Sequence, residues 1–99
     1  MHYILVTELE NTSFTSCKIQ GLSAEDWTVL EAEFTNLNLT YIKQETFYEV
    51  DIPGIQVLNI LAQIRYNYKI VSQSMAIEKT VIGGRTLQVQ KLVWTLGKI

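Results

Sequence analysis

The C-terminal part of the chain reads GGRTLQVQKLVWTL at residues 83–96. Two adjacent glycines between runs of β-branched and apolar residues are typical of a two-residue hairpin turn, because the turn positions need positive φ angles. This pattern predicts a β-hairpin whose first arm is the strand at residues 68–75. Its second arm is the longer strand at residues 85–96.

The alternation along the second arm changes partway. Every second residue is polar at first and apolar later, with Thr86, Gln88 and Gln90 followed by Leu92, Trp94 and Leu96. Such a change indicates either a β-bulge near residues 90–91 or a strand that passes from one environment into another. We favour the second interpretation, in which the hairpin projects beyond the sheet. A regular, fully packed hairpin would contradict it.

Strands and helices alternate before this hairpin. Short runs rich in β-branched and aromatic residues predict strands, and apolar residues at intervals of three and four predict helices. We expect a central strand at residues 2–9, a weaker strand or extended connection at 14–19, and two strands at 39–44 and 46–51. The sequence therefore predicts a single α+β domain over residues 1–99. Its mainly antiparallel sheet has two helices on one face, in a βαββαβ-like order plus the long C-terminal hairpin.

The first predicted helix has a clear start. Ser23 is a good N-cap residue, and Trp27, Leu30, Phe34 and Leu37 then recur on one face at helical spacing. This pattern predicts an amphipathic helix that covers one face of the sheet.

The second predicted helix, at residues 53–66, is apolar around most of its circumference. A helix of this kind is buried on more than one side. Either a neighbouring loop of the same chain covers the additional side, or a second subunit does. In the latter case we expect the oligomer interface at Val57, Ile60 and Ile64.

The composition limits the classes of function. Apolar residues make up 47% of the 99 residues and charged residues 18%, below the usual fraction of about a quarter, which favours an oligomer. The net charge is −2 and Lys and Arg form no cluster, so nothing favours nucleic-acid binding. Apolar runs are far shorter than the roughly 20 residues of a membrane span, and a lone cysteine suits a reducing compartment. We expect a cytoplasmic protein with no membrane and no nucleic-acid partner.

Residues that usually carry catalysis are few. His2 is the one histidine and Cys17 the one cysteine, which is too few for the usual zinc ligand sets. Glu49 and Asp51 lie on one side of a predicted strand, but solvated surface is the simpler interpretation. We expect no catalytic residue, no metal site and no cofactor. A small enzyme that uses tyrosines and carboxylates is the weaker alternative.

Four short segments are MHYILVT at residues 1–7, FYEVD at 47–51 followed by Pro53, YKIVS at 68–72 and LVWTLGK at 92–98. In this order and spacing they resemble the GTP cyclohydrolase I feedback regulatory protein family. The resemblance implies a homopentamer without activity of its own. It also implies control of a GTP cyclohydrolase I-like enzyme by phenylalanine and by a pterin such as tetrahydrobiopterin.

The resemblance and the hairpin together suggest residues for binding. Gln90 matches a glutamine near the amino-acid effector in that family. We expect Thr7, Arg85, Gln88, Gln90 and Trp94 to contact the effector or the partner enzyme. The simpler interpretations are a solvated edge strand for the hairpin residues and a core position for Trp94.

Two segments depart from the family pattern. Residues 78–85 are an insertion in the hairpin, and residues 8–20 differ after the first strand. The alternative function is therefore a stand-alone module, similar to ACT domains, that binds or sequesters a small ligand without an enzyme partner.

Overall fold

The computed structural model describes residues 2–10, 15–63 and 67–98 of the chain. The elements in these residues are, in order, β1 (His2–Glu10), β2 (Thr15–Gln20), α1 (Ala24–Asn36), β3 (Tyr41–Lys43), β4 (Phe47–Val50), α2 (Gly54–Leu61), β5 (Lys69–Ile82) and β6 (Arg85–Lys98). Neighbouring strands are antiparallel and form one sheet with the order β3-β4-β2-β1-β6-β5. The predicted α+β fold, mostly antiparallel sheet, is confirmed.

Both helices pack on the same face of this sheet. Alternate residues of β1 point to that face, where Ile4 and Val6 are fully buried. The helices contribute Leu30 and Phe34 of α1 and Leu61 of α2 to the same core. Burial of each large apolar side chain contributes roughly 1.5–3 kcal/mol. The main core therefore lies between the helices and one side of the sheet.

Strand β2 is more central than the sequence suggests. The weaker strand or connection expected at residues 14–19 pairs with β1 on one side and with β4 on the other. Its Cys17 and Ile19 are fully buried, whereas Ser16 and Lys18 point to the face without helices. Because only half of its residues enter the core, its apolar signal is weak although its position is interior.

Helix α1 begins as predicted and ends earlier than its apolar spacing implies. The hydroxyl of Ser23 accepts a hydrogen bond from the Asp26 N–H at 3.3 Å, so the predicted N-cap is confirmed. Leu37, expected on the buried face, is 46% exposed. The helix stops at Asn36 and Leu37 is its C-cap residue. The chain therefore leaves the helical direction before Leu37 can reach the core.

Helix α2 begins at Gly54, after Pro53 in the N-cap position, and ends at Leu61. It is shorter than the expected helix at residues 53–66, whose residues 64–66 lie outside the described part of the chain. At Gly54 a Cβ atom would lie 2.5 Å from the ring of Trp94. Glycine at this position lets the start of α2 pack directly on β6.

The C-terminal hairpin projects beyond the sheet, as predicted. Gly83 and Gly84 form its turn with φ angles of +60° and +79°. Strand β1 pairs with β6 only over residues 90–98, whereas β5 pairs with β6 along its whole length. The ladder is continuous at residues 90–91, so the change of alternation there reflects a change of environment and no bulge. The one irregularity lies between Ile70 and Ser72.

Candidate binding surface

The face of the sheet opposite α1 and α2, called the open face below, has no helix over it in the described residues. Along β1 it presents Tyr3, Leu5, Thr7 and Leu9, which alternate with the buried residues of that strand. Tyr3 is 54% exposed and Leu5 is 41% exposed. An aromatic and an aliphatic side chain are thus accessible near one end of the central strand.

A shallow depression of about 210 Å³ lies on the open face, at the Thr7 and Leu9 end of β1. Its lining residues come from β1, β2, β4, β5 and β6, and they are Thr7, Leu9, Ser16, Lys18, Glu49, Glu78 and Lys91. The strand register brings them together, because Thr7 is paired with Lys18, and Lys18 with Glu49. Residues from distant parts of the sequence therefore form one lining.

The charged groups of the depression are loosely paired. Lys91 Nζ lies 3.5 Å from a carboxylate oxygen of Glu78, and Ser16 Oγ donates a hydrogen bond to Glu49 Oε1 at 3.3 Å. The ammonium group of Lys18 lies 4.5 Å from the centre of the Phe47 ring. Exposed pairs of this kind contribute little to stability. Two ammonium groups and two carboxylates are thus free to rearrange around a ligand that carries both charges.

The structure separates the residues that the sequence assigned to effector or partner contact. Thr7 lines the depression on the open face. Gln88 and Gln90 lie on the opposite face of the hairpin, where the Gln90 amide donates to the Met75 sulfur at 3.4 Å. Arg85 is exposed beside the turn. These residues therefore belong to two different surfaces.

Trp94 lies in the core rather than on a surface. It is 7% exposed and points to the helix side of the sheet, against Gly54. This is the simpler of the two interpretations that the sequence allowed. Its indole ring positions α2 on the sheet and does not reach the depression on the other side.

The residues predicted for an oligomer interface on α2 are buried inside the chain. Val57 is fully buried and Ile60 is 4% exposed, both within the core. Ile64 lies outside the described residues. The apolar side chain that α2 exposes is Ile55, at 68%. The sheet of the same chain therefore accounts for most of the apolar circumference of this helix.

A buried carboxylate at the start of α2 has no signal in the sequence. Glu8 is 6% exposed, and its Oε2 atom accepts a hydrogen bond from the Gly54 N–H at 2.5 Å. Cys17 lies nearby, fully buried, and donates to the Ile52 carbonyl at 3.1 Å. Burial, together with the negative charge of Glu8, raises the pKa of Cys17 to about 12. Cys17 is therefore a packed thiol, and its chemistry as a nucleophile is suppressed.

A second polar cluster joins three distant segments. Asp26 in the first turn of α1 accepts hydrogen bonds on one carboxylate oxygen from Tyr68 and from Lys98, both at 2.6 Å. Burial disfavours the charged carboxylate, but these donors outweigh it and lower the pKa of Asp26. Burial and the neighbouring carboxylate raise the pKa of Tyr68. Nothing in the spacing of these three residues indicates that they meet, because only the tertiary fold brings them together.

No group of three or more His, Cys, Asp and Glu side chains in residues 2–10, 15–63 and 67–98 is arranged to hold a metal ion. Neither helix of the described chain has the length and apolar character needed to cross a membrane.

Comparison with known proteins gives a structural likeness. No model of a known protein family matches the chain, and no curated protein matches it. Among solved structures, a conserved kinetoplastid-specific protein from Trypanosoma cruzi has a similar fold, with a TM-score of 0.56 and 10% sequence identity. The alignment covers 100% of this chain and 97% of that chain. At this identity the likeness shows a shared fold.

Proposed function

We propose that this chain is a non-catalytic regulatory protein that binds an enzyme through the open face of its sheet. The main support is that the central strand exposes Tyr3 and Leu5 on a face that neither helix covers. Apolar side chains bordered by polar and charged groups are typical of protein interfaces, and the charged depression follows Tyr3 and Leu5 along β1. The resemblance described above makes a GTP cyclohydrolase I-like enzyme the proposed partner.

The arrangement of charges on the open face supports a protein partner. Tyr3 supplies an aromatic anchor, a residue type enriched among the strongest contacts of interfaces. Lys18 and Glu49 lie on one side of β1, and Lys91 and Glu78 lie on the other. Because positive and negative groups are equal in number, this surface fits a partner surface of mixed charge better than a strongly charged polymer.

The same depression supports a shared effector site. Small-molecule pockets are commonly about 300–1,000 Å³, so a depression of about 210 Å³ is too small to enclose a ligand alone. A partner surface placed over it would complete the enclosure. The ammonium group of Lys18 and the carboxylate of Glu49 match the two charges of an amino acid such as phenylalanine.

The proposal is tested by measuring binding of the purified chain to a recombinant GTP cyclohydrolase I, with and without phenylalanine or tetrahydrobiopterin. We expect Glu49→Lys to weaken binding roughly tenfold, because it places a third ammonium group in the depression. Glu45→Lys is the matched control, since Glu45 is exposed in the connection between β3 and β4 and does not line the depression. Absence of binding in every condition would contradict the proposal.

The depression also favours a second candidate, a stand-alone module that binds or sequesters a small ligand. Calorimetric titration of the isolated chain with amino acids and pterins separates the two. Ligand binding that is lost in Glu49→Lys, without any enzyme binding, would favour the module. Ligand binding that requires the enzyme would favour the regulatory protein.

A further inference from the structure

Strand β5 is a long edge strand of the sheet that the described residues form. It pairs with β6 on one side, and the sheet order ends at it. Met75, Ile77 and Val81 share one face of the strand and are 62%, 65% and 70% exposed. Edge strands are normally short, charged or interrupted by proline, because their free N–H and C=O groups recruit other strands. This strand has 14 residues and no proline, and its charged residues are Lys69, Glu78 and Lys79.

The sequence of β5 is nearly symmetric about Ala76. At equal distances before and after Ala76, apolar residues match apolar residues and polar residues match polar residues over five positions on each side. The pairs are Met75 with Ile77, Ser74 with Glu78, Gln73 with Lys79, Ser72 with Thr80, and Val71 with Val81. Nothing in the pairing of β5 with β6 requires such symmetry, because β6 has a different sequence.

Such symmetry is expected in a strand that pairs in antiparallel fashion with an identical strand. A two-fold axis through one residue places each residue before it opposite the equivalent residue after it, in both copies. Directly opposed residues of antiparallel strands point to the same face. We propose that a second copy of this chain pairs with β5 through a two-fold axis at Ala76. Met75 of each copy then lies opposite Ile77 of the other.

Neighbouring registers are less favourable, and an axis at Met75, for example, would place Gln73 opposite Ile77. Directly opposed side chains must point to the same face of the sheet. An axis between two residues would oppose side chains of different faces, so the axis has to pass through a residue. An axis at Glu78 or at Lys79 would place two like charges directly opposite each other. An axis at Ile77 would place Met75 opposite Lys79. The register at Ala76 joins apolar residues to apolar residues, and it places Lys79 opposite Gln73 without any pair of like charges.

The proposed pairing also gives the projecting hairpin a neighbour. The part of β5 beyond residue 77 has no β1 strand alongside its hairpin. With the axis at Ala76, this part lies along residues 70–74 of the other copy, at the edge of that copy's sheet. The irregularity between Ile70 and Ser72 then marks the end of regular pairing. Two six-stranded sheets would become one sheet of twelve strands.

A second copy fits this edge better than an unrelated strand. A foreign strand would need β-propensity and apolar residues, but it would place no symmetry constraint on β5. The proposal is independent of enzyme binding, because that was assigned to the open face. It requires an even number of chains: two, or ten if the five-fold contacts implied by the resemblance also form.

The first test exchanges charges at the opposed pair. In Met75→Lys/Ile77→Lys, two ammonium groups face each other on each side of the axis, and we expect monomers. In Met75→Glu/Ile77→Lys, each introduced carboxylate faces an introduced ammonium group of the other copy, and we expect association to return. Both positions are exposed in the single chain, so both variants should keep its circular dichroism spectrum.

Analytical ultracentrifugation gives the readout. We expect the wild-type mass to be an even multiple of the 11.4 kDa chain. The dissociation constants of the two double variants should differ by about tenfold or more, because two opposed pairs change from repulsive to attractive. A wild-type monomer, an odd-numbered oligomer or equal association of the two variants would overturn the proposal, whether or not the enzyme binds.

The second test uses a disulfide on the axis. Opposed Cα atoms of antiparallel strands are about 4.5–5.5 Å apart, within the range that a disulfide bridges. We expect Ala76→Cys to form a covalent dimer under mild oxidation. Ser74→Cys, two residues from the axis on the same face, should not cross-link to itself. Cys17 is fully buried and does not compete. Equal cross-linking of both variants, or of neither, would contradict the register.

Discussion

The contact between Gly54 and Trp94 predicts the effect of adding a single methyl group. In Gly54→Ala the new Cβ would lie 2.5 and 2.6 Å from two ring carbons of Trp94, and 3.0 Å from Oε2 of Glu8. Carbon atoms in ordinary contact are about 3.5–4.0 Å apart. The indole ring or the start of α2 must therefore move by roughly 1 Å.

The expected magnitude follows from two opposing effects. Overpacking a core costs about 1–3 kcal/mol, and the better helix propensity of alanine offsets up to about 1 kcal/mol. We expect the free energy of unfolding to fall by about 1–2 kcal/mol. For a domain of this size this lowers Tm by about 4–16 °C.

Urea unfolding followed by circular dichroism measures this loss, and Trp94→Phe supplies the matched background. Phenylalanine lacks the outer ring atoms that the new methyl group would meet, although the cavity it leaves is itself destabilising. We expect Gly54→Ala to cost less in the Trp94→Phe background than in the wild type. Equal costs in both backgrounds, or a Gly54→Ala protein as stable as the wild type, would refute the reasoning.

Three further predictions concern the core and the buried polar groups. Leu30→Ala should lower the free energy of unfolding by about 2–5 kcal/mol, whereas Leu37→Ala, at the exposed C-cap position of the same helix, should change it by about 0.5 kcal/mol or less. The donors around Asp26 hold its folded pKa below its unfolded value, so the stability it contributes is present above about pH 4 and is lost as pH falls through the folded pKa. In Asp26→Asn this acid-induced part of the loss should be absent from unfolding curves between pH 2 and 6, and an unchanged slope would contradict it. Cys17 should not react with a thiol reagent at about pH 8 in the folded protein and should react once urea unfolds it; rapid reaction of the folded protein would show that the thiol is accessible.

The hairpin shows what a local pattern in the sequence is able to predict. The turn at Gly83 and Gly84 follows from backbone geometry, which is a property of the residues themselves. The projection followed from the change of alternation in β6, because side-chain polarity records the environment of each face. The length of β5 beyond Met75 was missed. Both faces of this edge strand are exposed, so its sequence does not alternate between polar and apolar residues. Alternation therefore does not predict the strand.

The candidate surface was harder to predict, because it depends on which strands become neighbours. Thr7, Lys18 and Glu49 are far apart in the sequence, and only the order β4-β2-β1 places them side by side. The interior position of β2 was not evident from its half-polar sequence. The contacts of Asp26 with Tyr68 and Lys98 were not predictable for the same reason. None of the three residues stands out in its own segment of the sequence.

The pairing of β1 with β6 has a consequence for how the chain folds. These strands occupy the middle of the sheet, yet His2 pairs with Lys98, so almost the whole chain separates them. Contacts of such high sequence separation slow folding, because a large loop must close before they form. During synthesis β1 is made long before β6, so one of its two edges stays unpaired until β6 follows. The hairpin of β5 and β6, which is local, is the element best suited to form early and to receive β1 afterwards.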